Sequence, residues 1–409
     1  MPMNDLLPSG ITPEVADRVL EDLRYGLPPS TLTRAFTVGR RDQLEQLEQS
    51  LQRGRAEPLL LRANYGSGKS HLLRVVREAA LEHGYAVSLV EVNAQEGIRF
   101  NRLDLVFGAV CRNLEVPDMR GRGVGTLFEL FNDVADEEVS AAADELYGEI
   151  TDFGRWSYSD TLSSPPVFVA LRAWVHANHD PSIRDLAESW LHRPEEYRNE
   201  RKELYNRLIR SLRSDFLEPR PDWQFYADDL LVFHSSGHQN AWAGLADLDR
   251  IARASGLRGL VLLFDEFEDV IQGLNNREYQ QRAFWNLFEF FRGRRFPGPC
   301  YFAVTPDFVE KCKDELLRRG VYEFPYERFD QLPAFQLEPI GLGDFFDLGL
   351  RIRELHQIAY DWNAWEELSA ADIDELGRSV YARPSPDRVR QAVKAVVDEL
   401  DELLGEDGE

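Results

Sequence analysis

The run Pro58-Leu-Leu-Leu-Arg-Ala-Asn-Tyr-Gly-Ser-Gly-Lys-Ser70 constrains the fold of this chain more than any other stretch. Residues 57–63 centre on three leucines and fit a short strand buried on both faces. Gly66-Ser-Gly-Lys-Ser70 then opens a segment of helical periodicity that ends at Gly84, and residues 85–93 read as a second buried strand. Strand, glycine turn, helix, strand is a βαβ unit, which commits the chain to an α/β fold built on parallel strands.

A glycine turn between a strand and a helix is a phosphate-binding device. Successive backbone N–H groups curl around the phosphate oxygens, and the helix directs its positive end at them. Asn64, Tyr65, Gly66, Ser67, Gly68, Lys69, Ser70 and His71 are therefore the candidate nucleotide-contact residues. Lys69 would reach the terminal phosphates, and the Ser70 hydroxyl would join an Mg²⁺ shell. Ala63 stands where such loops usually carry their first glycine, a mild departure, since Asn64 can tolerate a left-handed turn. The complementary half is Leu260-Val-Leu-Leu-Phe-Asp-Glu266, an apolar strand that delivers two carboxylates to the sheet's C-terminal edge. Asp265 would hold the Mg²⁺ water shell and Glu266 would act as general base on an attacking water. ATP and Mg²⁺ are the expected ligands.

Three further features complete the candidate site. Thr305, in Phe302-Ala-Val-Thr-Pro-Asp-Phe308, ends a fourth strand expected beside the loop strand and could sense a γ-phosphate. Arg318, Arg319 and Arg328 precede the fifth strand, where an arginine can reach a neighbouring subunit's nucleotide; Arg328 is the favoured one. Arg388 and Arg390 fall in the first turns of a helix that follows a Ser-Pro turn, a place for a lid arginine, and the two are not distinguished by sequence.

Bulk properties narrow the class. At 409 residues, 43% hydrophobic and 29% charged, the chain can bury a large core. No apolar run near the centre could cross a bilayer and the N-terminus lacks a signal core, so a cytoplasmic protein is expected. Cys111, Cys300 and Cys312 are scattered, which fits a reducing compartment. His176/His179 and His234/His238 lack companion ligands for a structural metal. The net charge of −24, with only five lysines among 47 basic residues, points to a GC-rich genome or a salt-loving host. Such a field opposes non-specific contact with nucleic acid, so DNA would need a local patch. Two basic stretches qualify. One is 198–213, with Arg201, Lys202, Arg210 and Arg213 along an exposed helix that Glu200 and Glu203 interrupt; the other is the turn holding Arg292, Arg294 and Arg295.

Taken together, Leu20-Glu-Asp-Leu-Arg-Tyr-Gly-Leu-Pro-Pro29, Val38-Gly-Arg-Arg-Asp42, Tyr65-Gly-Ser-Gly-Lys-Ser-His-Leu-Leu73 and Gly256-Leu-Arg-Gly-Leu-Val-Leu-Leu-Phe-Asp-Glu-Phe-Glu268 resemble the ATP-binding domain family of the BREX phage-defence systems, a branch of the AAA+ ATPases. The resemblance implies a five-stranded parallel AAA+ core with a C-terminal helical lid, and Val38 and Gly39 on the adenine pocket. Pro386 precedes Asp387, where family members commonly carry a Pro-Arg pair. The expected division is an N-terminal helical segment at 1–36, the core in two parts at 37–96 and 251–340, a helical insertion at 97–250, and a lid at 341–409 whose acidic tail frays. The expected activity is Mg²⁺-dependent ATP hydrolysis driving assembly or remodelling. The expected partners are further copies of the chain or other defence proteins, with double-stranded DNA a candidate and no membrane. A slow nucleotide switch, similar to origin-recognition ATPases, is the alternative.

Overall fold

The computed structural model describes residues 6–29, 31–54, 56–92, 97–137, 140–152, 158–177, 180–194, 198–211, 231–233, 239–268, 270, 276–382, 385 and 387–407. Six strands form one sheet: β1 (Leu59–Arg62), β2 (Ala86–Glu91), β3 (Leu114–Glu115), β4 (Leu260–Asp265), β5 (Cys300–Val304) and β6 (Ala334–Gln336). Their order is β3-β2-β4-β5-β1-β6, with β3 antiparallel to β2 and every other pair parallel. The sheet is therefore mixed, where five parallel strands were expected. The extra strand lies within the stretch read as mostly helical. Two residues, one of them half-buried, are too few to print a period of two.

The longer helices are α1 (Pro13–Arg24), α2 (Arg41–Gln52), α3 (Lys69–Glu82), α4 (Leu103–Arg112), α5 (Val124–Asp136), α6 (Ala141–Thr151), α7 (Pro165–Val175) and α8 (Pro181–His192). They continue with α9 (Arg198–Ser211), α10 (Gln239–Ala254), α11 (Arg277–Arg292), α12 (Phe308–Arg318), α13 (Leu342–Tyr360), α14 (Ala370–Tyr381) and α15 (Arg388–Asp407). All six residues of β4 and all five of β5 are buried, as expected of central strands covered on both faces. Alternation sorts their side chains. Leu61, Val87, Leu263 and Ala303 meet α2 and α3, whereas Leu60, Val90, Phe264 and Phe302 face the opposite layer.

That opposite layer includes helices from 97–250, whose apolar side chains form one continuous core with the sheet. Phe100 is the hinge of this packing. It is 1% exposed, and its ring meets those of Phe264, Phe267, Phe290 and Phe302 with centroids 4.8–6.3 Å apart. Trp174, Trp190 and Trp242 are core residues too.

A separate apolar cluster joins the two ends of the chain: Val19, Leu20 and Leu23 of α1 pack with Leu348, Ile352 and Leu355 of α13 and Val396 and Leu400 of α15. Polar contacts lock it. Arg24 donates to both oxygens of Asp401 at 2.7 Å and to the Tyr360 hydroxyl at 2.7 Å. The Trp362 indole donates to His356 Nδ1 at 2.9 Å, so Nε2, 3.1 Å from Asp401, carries the imidazole proton. The acidic tail expected to fray instead continues α15 to Asp407, because Leu400 and Asp401 are both engaged in this joint.

Phe100→Ala should remove about 3–5 kcal/mol of stability. Denaturant unfolding without added nucleotide measures it, and a loss under 1 kcal/mol would show that the sheet and the 97–250 helices do not share one core.

Candidate functional site

Parallel pairing sets the site. Arg62 is opposite Val304, and Glu91 is opposite Asp265, so the glycine loop, the acidic pair and Thr305 all emerge at the same sheet edge. Ala63 is still strand-like there: its N–H donates to Val304 O at 3.1 Å, which explains why no glycine is needed. The left-handed positions of the loop are Gly66 (φ 69°) and Gly68 (φ 80°), and Gly68 is the N-cap of α3. Asn64, which could tolerate a left-handed turn, does not adopt one. The turn is closed instead by Ser67 N–H donating to Asn64 O at 3.2 Å.

One cleft receives these elements. Its polar wall holds Tyr65, Gly66, Gly68, Lys69, Ser70 and His71 of the loop together with Asp265, Glu266 and Glu268. Its apolar wall comes from both chain ends: Leu23, Phe36 and Val38 on one side, Ile340, Leu348, Val389 and Val393 on the other. Lys69 is 8% exposed; its ammonium donates to Ala63 O at 3.2 Å and Asn64 O at 3.4 Å and lies 3.7 Å from Glu268 Oε1. The Tyr65 ring centroid is 4.8 Å from the same nitrogen. Glu266 has φ 51°, an uncommon backbone for a residue with a Cβ. Its N–H donates to Asp265 Oδ1 at 2.9 Å, which closes the turn between the two carboxylates. Such strain concentrates at functional positions.

Two residues at the cleft were not foreseen as site residues. Arg40, 3% exposed, donates to the carbonyls of Ser67 and Glu338, the latter at 3.1 Å, and so ties the loop to the chain leaving β6. Burial pulls its guanidinium down to about 10, against the opposing field of Asp344. Glu268 is 6% exposed. The sequence signal for both lay in motifs already noted, Val38-Gly-Arg-Arg and Asp265-Glu-Phe-Glu, but nothing in a motif says which charge turns inward. Gly39 (φ 67°) sits so close to the Asp344 carboxylate that a Cβ would lie 2.4 Å from it.

The remaining expected residues separate. Arg390 lines the cleft and donates to Gly26 O at 3.0 Å; Arg388 does not line it, and its guanidinium lies 5.3 Å from the Tyr381 ring. Thr305 is buried just past β5, at the same edge but outside the cleft lining. Arg328 lies over the Trp285 ring at 4.7 Å, away from this chain's own cleft; Arg318 and Arg319 pair with Glu315. Arg201, expected on an exposed face, is buried and donates to Pro194 O at 2.9 Å, while Arg292 and Arg295 both pair with Glu289. Arg213, His179, His234, His238 and Pro386 lie outside the described residues, as does the Arg210 side chain.

A glycine loop entering a helix at the C-terminal edge of a largely parallel sheet is consistent with the phosphate-loop class of α/β proteins. The chain belongs to the BREX system ATP-binding protein BrxC/D family, which matches residues 11–151 and 226–407. No curated relative and no solved structure matches it. Among the described residues no helix is long and apolar enough to cross a membrane.

The His71 ring, bonded to Thr37 Oγ1 at 2.7 Å, is lowered to about 4 by burial first and then by Arg40 and Arg74. A lowered folded value means that its contribution to stability is present above the ordinary value near 6.5. That contribution is lost as pH falls towards 4. His71→Gln should therefore flatten the thermal-stability profile between pH 6.5 and 4.5; an unchanged slope would contradict the neutral ring.

Proposed function

We propose that the chain is an Mg²⁺-dependent ATPase of the AAA+ type. In this reading its nucleotide state drives assembly or remodelling within a BREX defence complex or on DNA. The observation that carries the reading is that Lys69 and Ser70, from the start of α3, line the same cleft as Asp265 and Glu266, nearly half the chain away. The family's ATP-binding character supports the ligand. The domain division follows the same logic: the core at 37–96 and 251–340, the insertion at 97–250, and the lid at 341–409.

Each residue has a role set by its chemistry. The N–H groups of the 64–70 loop and the positive end of α3 bind the phosphates, and Lys69 neutralises the terminal ones. Glu266, beside the phosphates, accepts a proton from the attacking water. Thr305 holds that water or the γ-phosphate from the next strand. The apolar wall built around Val38 receives the base, and Arg390 approaches from the lid. The Ser70 hydroxyl and the Asp265 carboxylate are hard oxygen donors of the kind Mg²⁺ prefers. Among the described residues no group of three His, Cys, Asp or Glu is placed to hold a metal, which fits a cation bound mainly by phosphate and water. When bound, Mg²⁺ would offset charge on the transferred phosphoryl group. Arg328, stacked on Trp285 rather than in this cleft, would serve the nucleotide of a second copy.

Lys69→Ala should abolish ATP binding, whereas Glu266→Gln should bind ATP normally and lose about 10²–10⁴-fold in turnover. Equal ATP affinity in wild type and the Lys69 variant would defeat the assignment. Assembly mass should rise when Glu266→Gln is loaded with ATP and Mg²⁺. A mass that stays monomeric with nucleotide, partner proteins and duplex DNA all present would remove the role of Arg328.

A further inference from the structure

The loop lysine has a charged partner that the proposed mechanism does not use. Glu268 stands three residues beyond the strand-ending Asp265, in a position the fold fixes tightly. Glu266 takes a left-handed backbone, and Phe267, fully buried, donates its N–H to Ala303 O at 3.3 Å. Glu268 is thereby held against the loop, 6% exposed, with Oε1 3.7 Å from Lys69 Nζ. Two ions this far out of water are each costly alone, and their proximity offsets part of that cost. An ammonium has three donors. Here it gives hydrogen bonds to Ala63 O and Asn64 O and lies against the Glu268 carboxylate.

We propose that Glu268 is the resident counter-ion of Lys69, which incoming phosphates must displace, and that it thereby sets the cleft's affinity for phosphate and its demand for an accompanying divalent cation. This rests on the phosphate-loop reading given above. Carbonyls are neutral and can share an ammonium with a phosphate oxygen. A buried carboxylate cannot do so without repulsion, because two anions then compete for one cation in a medium that screens poorly. Phosphates complexed with Mg²⁺ bring less net charge, so Glu268 penalises the bare nucleotide more than its magnesium complex. Lys311, on the first turn of α12, is the other ammonium in this field. It is held protonated chiefly by Asp307 at 2.9 Å, and Glu268 contributes to the same effect.

The test compares ADP and adenosine binding to the full chain by titration calorimetry, with and without Mg²⁺, in wild type, Glu268→Gln, Glu268→Ala and Lys69→Ala. Removing the charge should tighten magnesium-free ADP binding by about tenfold, equivalent to about 1.4 kcal/mol. Adenosine affinity should stay at the wild-type value, which also certifies the fold of each variant. The advantage of Mg·ADP over bare ADP should shrink in both Glu268 variants. Magnesium-free ADP binding no tighter than wild type in a folded variant overturns the proposal. So does an equal gain for adenosine and ADP, which a reshaped cleft would produce. Failure of the underlying reading looks different: wild type and Lys69→Ala would then bind ADP equally.

Discussion

The insertion of β5 between β1 and β4 is the constraint on which the cleft depends. Hydrogen bonding in parallel register brings the ends of three strands to one edge, although the segments that follow them are far apart in sequence. The glycine loop leaves β1, the acidic turn leaves β4, and Thr305 leaves the strand between them. Neither half of the site has meaning without that pairing. An ammonium withdrawn from water needs anions nearby, and carboxylates crowded at one edge need a cation. The sheet supplies each to the other.

The second structural condition is that the chain ends meet. The cleft's apolar wall is made by α1 and the turn after it, the Phe36–Val38 segment, and α13 with α15. Arg24, Asp401, His356 and Trp362 form one hydrogen-bonded series across this joint. Arg40 and Gly39 then connect it to the loop, the first through the Ser67 carbonyl and the second by close approach to Asp344. The glycine loop thus shares its cleft with a body assembled from both ends of the chain.

The charge pattern has a related logic. A net charge of −24 gives the molecule a negative field, yet guanidinium groups are repeatedly taken inside. Arg40, Arg172 and Arg353 are almost wholly buried, and Arg353 lies 3.6 Å from the Trp365 ring centroid. Arginine's flat, weakly hydrated head tolerates such sites better than an ammonium does. Lys69 is the buried lysine among the described residues, and it sits where a carboxylate can face it. Among the described residues of the two stretches that looked basic in sequence, Arg207 pairs with Glu203 and Asp180, and Arg292 and Arg295 with Glu289.

Sequence alone determined the βαβ unit, the acidic strand end, and the helices at both termini, because each is a local pattern: apolar runs, permissive glycines, a period near 3.6. It also brought forward Arg390 and Arg388 as a pair, and Lys69 as the cation of the loop. Only the tertiary structure chose between members of such sets. It turned Arg390 to the cleft and laid Arg388 on Tyr381, buried Arg201, and stacked Arg328 on Trp285. It also added a two-residue edge strand and set Glu268 against Lys69. The physical reason is that periodicity fixes which face of an element is apolar, whereas the partner of a charged side chain depends on what another, distant element brings within a few ångströms.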